Sequence, residues 1–248
     1  MKVIIPSKGR SKTITTHKLF SDAIIVVHTE EEKKEYEENG VGNIVVSNVP
    51  YGISYQRQWV LDNLVERDEW FITSNDNITE LTELERGKIE ADEFMKMAEL
   101  DVELAERNNI KHCGFAVVDN PYFRKKKYRM VGYVLGKFTM TKNVGTPYDL
   151  EIEVMDDYGF TAENLLRYGK VLINNSIYPV CKHYQEGGIG TYDERVDRKI
   201  ADCKRLMLKY PGLFRYKKKV GCHPLAELQV RFTNTKQVEA WRKKLISG

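Results

Sequence analysis

"MKVIIPSKGR" at residues 1–10, "AIIVVHTEE" at 23–31, "NIVVSNVPYG" at 43–52 and "WFITSNDN" at 70–77 repeat one pattern. Each holds a short apolar strand, at residues 3–5, 23–27, 44–46 and 70–72. A polar or glycine-bearing turn follows each strand, and then helix-like sequence. Strands alternating with helices imply an α/β fold with a mostly parallel central sheet flanked by helices. In such a sheet, ligands bind in the crevice beyond the carboxyl ends of the strands. The four polar turns are therefore expected at one place, and their chemistry suits a nucleotide.

Local signals extend this reading along the chain. Thr29 and Glu32 form a capping box that opens a helix ending at Gly40. Ser54 caps a second helix, with Tyr55, Trp59, Leu61, Leu64 and Val65 as its apolar stripe. The acidic stretch 82–107 reads as a helix or a mobile insert. Strands are expected at 113–118, 128–135 and 137–141, a short helix at 161–169 and a strand at 171–174. Thr191 and Glu194 give another capping box, opening a helix with Val196, Ile200, Cys203, Met207 and Tyr210 on one face. A last helix carries Val238, Trp241 and Leu245.

The 248 residues are 42% hydrophobic and 30% charged, enough for a core under a well-solvated surface. They are read as one domain, 1–248, with a donor half (1–107) and an acceptor half (108–248). No run approaches the ~18 apolar residues of a membrane span. The N-terminus enters a strand directly, so no signal peptide is expected. Cys113, Cys181, Cys203 and Cys222 lack CxxC spacing and read as reduced thiols, which places the protein in the cytoplasm. Net charge is only +3 but uneven. Residues 79–107 hold ten acids against four bases, 108–150 eight bases against two acids, and 195–220 ten bases against two acids. Such asymmetry points to a polyanionic partner, or to balanced solvated patches.

Three turns carry the donor chemistry. In "IPSKGR", Pro6, Ser7, Lys8, Gly9 and Arg10 offer backbone N–H groups and two cations to a nucleobase or diphosphate. Neither GxxxxGK[ST] nor GxGxxG is present. The "HTEE" turn adds His28. In "VPYGISYQRQW", Gly52 permits a tight turn and Arg57 follows one helical turn later, where it can reach a phosphate or pair with a surface acid. In "WFITSNDNI", Asn75, Asp76 and Asn77 stand where Mg²⁺ or Mn²⁺ would be held, although only Asp76 is charged. The same three residues also suit an ordinary backbone-capping turn.

In order and spacing these motifs resemble a GT-A-fold, Rossmann-like glycosyltransferase. More narrowly they resemble the TET-associated and phage DNA glycosyltransferases, which glycosylate hydroxymethylpyrimidines. The resemblance runs from "IPSKGR" through "MDDYGF" to the Gly-Gly segment near residue 187. It implies a nucleotide-sugar donor, UDP-linked, and a DNA acceptor. It also implies a divalent metal at Asp76 and Asn77 with a C-terminal histidine, His223 or His183, and a host-cytoplasmic location if phage-encoded. Asn75 and Asn77 replace two expected acids, so the metal is an open question.

"EIEVMDDYGFTAENLL" places Glu151, Glu153, Asp156 and Asp157 before a helix. The resemblance puts the catalytic base at this acidic turn, with Asp157 as base and Asp156 orienting it. A base is needed because a primary alcohol is a poor nucleophile at neutral pH. Capping and dipole placement would equally use such acids. A single base without a nucleophilic carboxylate implies inversion at the sugar. Segment 184–190 offers a glycine loop near the acceptor, or simply a surface turn.

"FRKKKYR" and "FRYKKK" interleave aromatics with bases. Arg124, Lys125, Lys126, Lys127, Arg129, Lys217, Lys218 and Lys219 are the expected DNA contacts, or else lysines guarding strand edges. A hydroxymethyl acceptor would be reached by base flipping or on single strands. Two alternatives stand beside this function: a GT-A enzyme acting on a glycan, lipid or protein, and a non-catalytic nucleotide- or DNA-binding module.

Overall fold

The computed structural model describes residues 1–181, 192–217, 221 and 223–247. His183, the 184–190 loop, Thr191, Lys218, Lys219 and Cys222 lie outside the described residues.

The donor half alternates only in part: β1 (Lys2–Pro6) is followed by a 3-10 turn at Thr16–Lys18 where a helix was expected, then come β2 (Ile24–Val27), α1 (Glu30–Glu38), β3 (Ile44–Val46), α2 (Ile53–Asn63) and β4 (Trp70–Ser74), after which another strand follows directly. Next come β5 (Ile78–Glu83), β6 (Gly87–Ile89), α3 (Ala91–Arg107), β7 (His112–Phe115), β8 (Tyr128–Arg129) and β9 (Phe138–Lys142). The remainder comprises α4 (Asp156–Tyr168), β10 (Leu172–Asn174), β11 (Ile177–Cys181), α5 (Tyr192–Lys209), β12 (Phe214–Tyr216), β13 (Leu228–Val230) and α6 (Thr235–Ser247).

Eight strands form one sheet in the order β3-β2-β1-β4-β9-β7-β10-β8. Pairing from β3 to β4 is parallel throughout. β9 runs antiparallel to both β4 and β7, so β7 points the same way as β4. This is a mostly parallel α/β sheet, and both halves of the chain contribute to it. Strand alternation sends successive side chains to opposite faces. Val3, Ile5, Ile25 and Ile72 pack with Phe20, Phe94, Phe115 and Phe138. Ile4, Val26 and Phe71 meet Val60 and Leu61 of α2 and Phe160 of α4. A further core joins α4, α5, α6 and the β12–β13 hairpin around Leu165, Leu206, Phe214 and Trp241.

Four local expectations are revised. Residues 78–89 are a hairpin, not the start of a helix: Ile78, Leu81 and Ile89 turn inward, and Gly87 takes φ 77° at the turn. Only Tyr128–Arg129 of segment 128–135 is strand. The helix expected at 161 begins at Asp156, so both aspartates sit in its first turn. Ser54 is not a cap: Gly52 precedes α2, and the buried Ser54 hydroxyl donates to Ile152 O at 2.6 Å.

A buried ion pair locks α2 to α4. Arg57 Nη1 donates to Asp156 Oδ2 and Nη2 to Gly136 O, both at 2.5 Å. Arg57 and Asp156 are 6% and 7% exposed. Gly136 must be glycine, because an added Cβ would meet Arg57 Nη1 at 2.6 Å and Asp157 Cβ at 2.8 Å. Removing one member strands the other charge in the interior, at about 3–5 kcal/mol. Asp156→Ala is expected to lose that much in urea unfolding. Arg57→Met combined with Asp156→Leu should lose clearly less than either single change. Equal and additive losses would show that the pair is solvated.

His112 sits nearby, its Nδ1 2.9 Å from Thr141 Oγ1 and its ring edge-on to Phe160. Burial, with the Arg57 charge, lowers its pKa to about 3. The fold therefore keeps the ring neutral, while the unfolded chain protonates it below its ordinary value of 6.5. Its contribution is complete above pH 6.5 and is lost as pH falls toward 3. His112→Gln should lose less stability than the parent chain between pH 6.5 and 4. At its steepest the difference approaches about 1.4 kcal/mol per pH unit. Parallel stability curves would mean that the folded ring accepts a proton freely.

Candidate active site

The carboxyl ends of β1, β2, β3 and β4 open onto one cleft of about 1050 Å³. Of the expected donor residues, Pro6, Ser7, Lys8, Arg10, His28, Gly52, Asn75, Asp76 and Asn77 line it. Gly9 and Arg57 do not, although Gly9 takes φ 60° in the turn that sends Lys8 and Arg10 onward. Arg57 lies under the cleft, committed to Asp156 and Gly136, and faces no phosphate site.

A short proton chain fixes the first turn. The Arg10 backbone N–H donates to Tyr36 Oη at 3.0 Å. Ser7 Oγ donates to Asp76 Oδ2 at 2.6 Å, so the 2.7 Å contact between Tyr36 Oη and Ser7 Oγ has the tyrosine as donor. Burial raises the Tyr36 pKa to about 12, which keeps that proton in place. Arg10 Nη1 meets the other Asp76 oxygen at 2.6 Å. The Asp76 carbonyl accepts from Thr15 N and Thr16 N at 2.8 and 3.2 Å. Asp76 is thus held from every side by its own chain.

On the opposite flank, Tyr51 covers His28 with ring centroids 4.6 Å apart, and Lys8 Nζ stands 3.8 Å from the Tyr51 centroid. His28 Nδ1 lies 3.2 Å from Gln56 Nε2, while its buried Nε2 has no partner among the described residues. Tyr51 is 59% exposed and places an aromatic ring at the rim of the cleft.

The β4–β9 register supplies a cation that sequence reasoning missed. Ser74 pairs with Phe138, so Lys137 stands beside the asparagine-aspartate turn, and its carbonyl accepts from Asn75 N at 2.8 Å. Lys137 lines the cleft at 6% exposure, with Nζ 4.3 Å from the Tyr178 ring centroid. Burial lowers its pKa. No motif marks a single lysine in "LGKF"; its place comes only from strand pairing.

The acidic segment divides in two. Glu151 and Glu153 line the cleft, opposite Arg195 and Arg198. Glu151 pairs with Arg205, and Glu153 lies 3.9 Å from Arg198 Nη1. Asp156 is buried behind the wall, and Asp157 is half-buried and does not line the cleft. Asp157 accepts from the Tyr133 hydroxyl, from Gly136 N at 2.9 Å and from Tyr158 N at 2.9 Å. Burial, then the Asp156 charge, raises its pKa. The wall is one residue thick, since Leu135 and Lys137 face the cleft on either side of Gly136.

A divalent cation does not fit this donor set. Both Asp76 oxygens are taken by Ser7 and Arg10, and the flanking residues are amides. Among the described residues, no three His, Cys, Asp or Glu side chains gather as ligands. His223 is exposed outside the cleft and accepts from Leu225 N at 3.2 Å.

The expected DNA contacts also separate. Arg124 is 3% exposed and pins the loop after β7, donating to Asn175 O and Ser176 O at 2.7 Å each. Lys125, Lys126, Lys127 and Arg129 are exposed around it, and Lys217 is exposed beyond β12. Tyr122 and Phe123 are 67% and 64% exposed on the same loop. Because β7 runs parallel to β4, this loop leaves the sheet at the edge that carries the cleft. No helix among the described residues is long and apolar enough to cross a membrane.

No family model matches the chain, and no curated protein matches it. Among solved structures it is similar to S. aureus TarS 1–349, both alone and in complex with UDP. Each of these has a TM-score of 0.48 and 13% identity, over 84% of this chain and 66% of that one. A longer S. aureus TarS structure gives a TM-score of 0.45 and 11% identity over 84% of this chain and 40% of that one. The chain thus spans less than two thirds of the TarS chains it matches.

Proposed function

We propose that this chain is a nucleotide-sugar-dependent glycosyltransferase whose acceptor is a hydroxymethylpyrimidine in DNA. The observation that carries the donor half is the cleft at the carboxyl ends of four parallel strands, β1 to β4. It has an aromatic face at Tyr51 and cations at Lys8, Arg10 and Lys137. The base stacks toward Tyr51 and His28, and the diphosphate lies against the cations, which stabilise it as it departs.

The acceptor reading rests on the loop after β7, where exposed Tyr122 and Phe123 stand beside Lys125, Lys126 and Lys127 at the cleft's own edge. Cations suit the phosphates and aromatics suit an unstacked base. An acceptor hydroxyl entering between donor and acidic segment meets Glu153 before Asp157, so Glu153 is the proposed general base. The attacking oxygen loses its proton to that carboxylate as it bonds to the anomeric carbon, and the nucleoside diphosphate leaves. With Glu151 paired to Arg205 and Asp76 held by Ser7 and Arg10, Glu153 acts as a single base and the displacement inverts the sugar.

Purified protein with UDP-sugars and hydroxymethyl-containing DNA is expected to transfer label to the DNA. Transfer to a small alcohol acceptor but never to DNA would move the acceptor to a glycan, lipid or protein. Binding of UDP without any transfer would favour the non-catalytic module. Glu153→Gln should lower kcat by about 10²–10⁴-fold, while Asp157→Asn stays within about tenfold of the parent. The reverse result would give Asp157 the role of base. Charge reversal at Lys125 and Lys127 should flatten the salt dependence of DNA binding by about two counterions; an unchanged slope would remove this loop from the acceptor surface.

A further inference from the structure

We propose that the diphosphate site works without a divalent cation, with Arg10 and Lys137 taking the metal's place. This rests on the donor reading above and specifies how that site neutralises its ligand.

The first argument is coordination. A magnesium or manganese site commonly needs one or two free carboxylate oxygens plus phosphate oxygens. Asp76 is the sole carboxylate of its turn, with one oxygen on Ser7 and the other on Arg10, each at 2.6 Å. Asn75 and Asn77 offer amides, which are weak ligands for a hard cation. The Arg10 bond is charge-assisted and short, and Tyr36 fixes the Arg10 backbone. An incoming metal would have to break a satisfied, largely buried pair.

The second argument is charge. Among the described residues, Lys8, Arg10 and Lys137 line this end of the cleft with Asp76 as the carboxylate beside them, a formal excess of two positive charges in the lining. A nucleoside diphosphate brings two to three negative charges, which this excess matches. A divalent cation would double the positive charge before any ligand arrives. Lys137 makes the point sharply. Its ammonium is held at 6% exposure over the Tyr178 ring, and burial weakens its hold on the proton. A buried ammonium facing a cleft gains from an anion and is opposed by a second cation. Its position is fixed by strand register and the Asn75–Lys137 backbone bond, so the charge is in place before the donor binds.

Calorimetric titration of UDP, with CDP, GDP and ADP in parallel, tests this in EDTA and in Mn²⁺. The expected result is a nucleotide affinity unchanged within about twofold between the two buffers. Electron paramagnetic resonance of Mn²⁺ should show no stoichiometric site on the protein, with or without nucleotide. Arg10→Met and Lys137→Met should each weaken binding by about tenfold or more, the loss of one charge-assisted bond. If a variant fails to fold by circular dichroism, the comparisons on the parent chain decide. Affinity that collapses in EDTA and returns with Mn²⁺, or a Mn²⁺ site abolished by Asp76→Asn, would overturn the metal-free site and leave the donor reading standing. No binding of any nucleotide in either buffer would end both.

Discussion

The pair of Arg57 and Asp156 is the constraint on which the site depends. Two charges at 6% and 7% exposure cost heavily in desolvation, and close contact between them offsets that cost. Here the second guanidinium nitrogen reaches Gly136 O, so the pair grips three pieces of chain: α2, the first turn of α4 and the segment before β9. That segment is the wall of the cleft. Its Leu135 and Lys137 face the ligand side while the Gly136 N–H returns to Asp157. A structural ion pair thereby sets where a cleft-lining lysine stands.

Sheet direction does the rest. Parallel strands β1 to β4 deliver their turns to one edge, and β9 runs antiparallel beside β4. An antiparallel neighbour begins where β4 ends. The residue before β9 therefore arrives next to the residues after β4, which is why Lys137 meets Asn75. β7 then returns to the original direction, and its following loop carries the exposed aromatic and basic residues to the same edge. The cleft-lining turns and the exposed loop after β7 share one edge because one strand is reversed.

Much of this was legible in the sequence. The four strand-turn units could be placed because short β-branched runs ending in Ser, Asn, Gly or Pro leave little choice of structure. Their turns line one cleft, with Ser7, Lys8, Arg10, His28 and Asp76 among them. What could not be read was pairing across the chain. Arg57 and Asp156 lie far apart in sequence, and nothing local distinguishes a phosphate-binding arginine from one buried against a carboxylate. The first turn of α4 was obscured for a related reason: acids there satisfy the helix dipole, and the same acids look like a catalytic turn. Arg124 looked like part of a basic strip because its neighbours are lysines, yet its fork geometry suits two carbonyls better than solvent. The hairpin of β5 and β6 was masked by acidic, helix-favouring residues whose pairing with β11 overrides their local preference.

The cleft is polarised by these placements. Lys8, Arg10 and Lys137 gather where the strands end, while Glu151 and Glu153 enter from the segment before α4. In the proposed reaction a diphosphate gains charge as it departs and a hydroxyl sheds a proton as it attacks. The first change is favoured at the cationic end and the second at the acidic end, and the two ends must stay apart to keep both effects. Direct contact would let the carboxylates neutralise the cations, which is what Asp156 does to Arg57. The acidic segment is kept from that fate by partners of its own: Arg205 on Glu151, Arg198 near Glu153, and Asp202 accepting the backbone N–H groups of Glu153, Val154 and Met155. Helix α5 supplies all three. It therefore holds the acidic wall at a distance from the donor cations, and the charge separation across the cleft is built by a helix far along the chain from both.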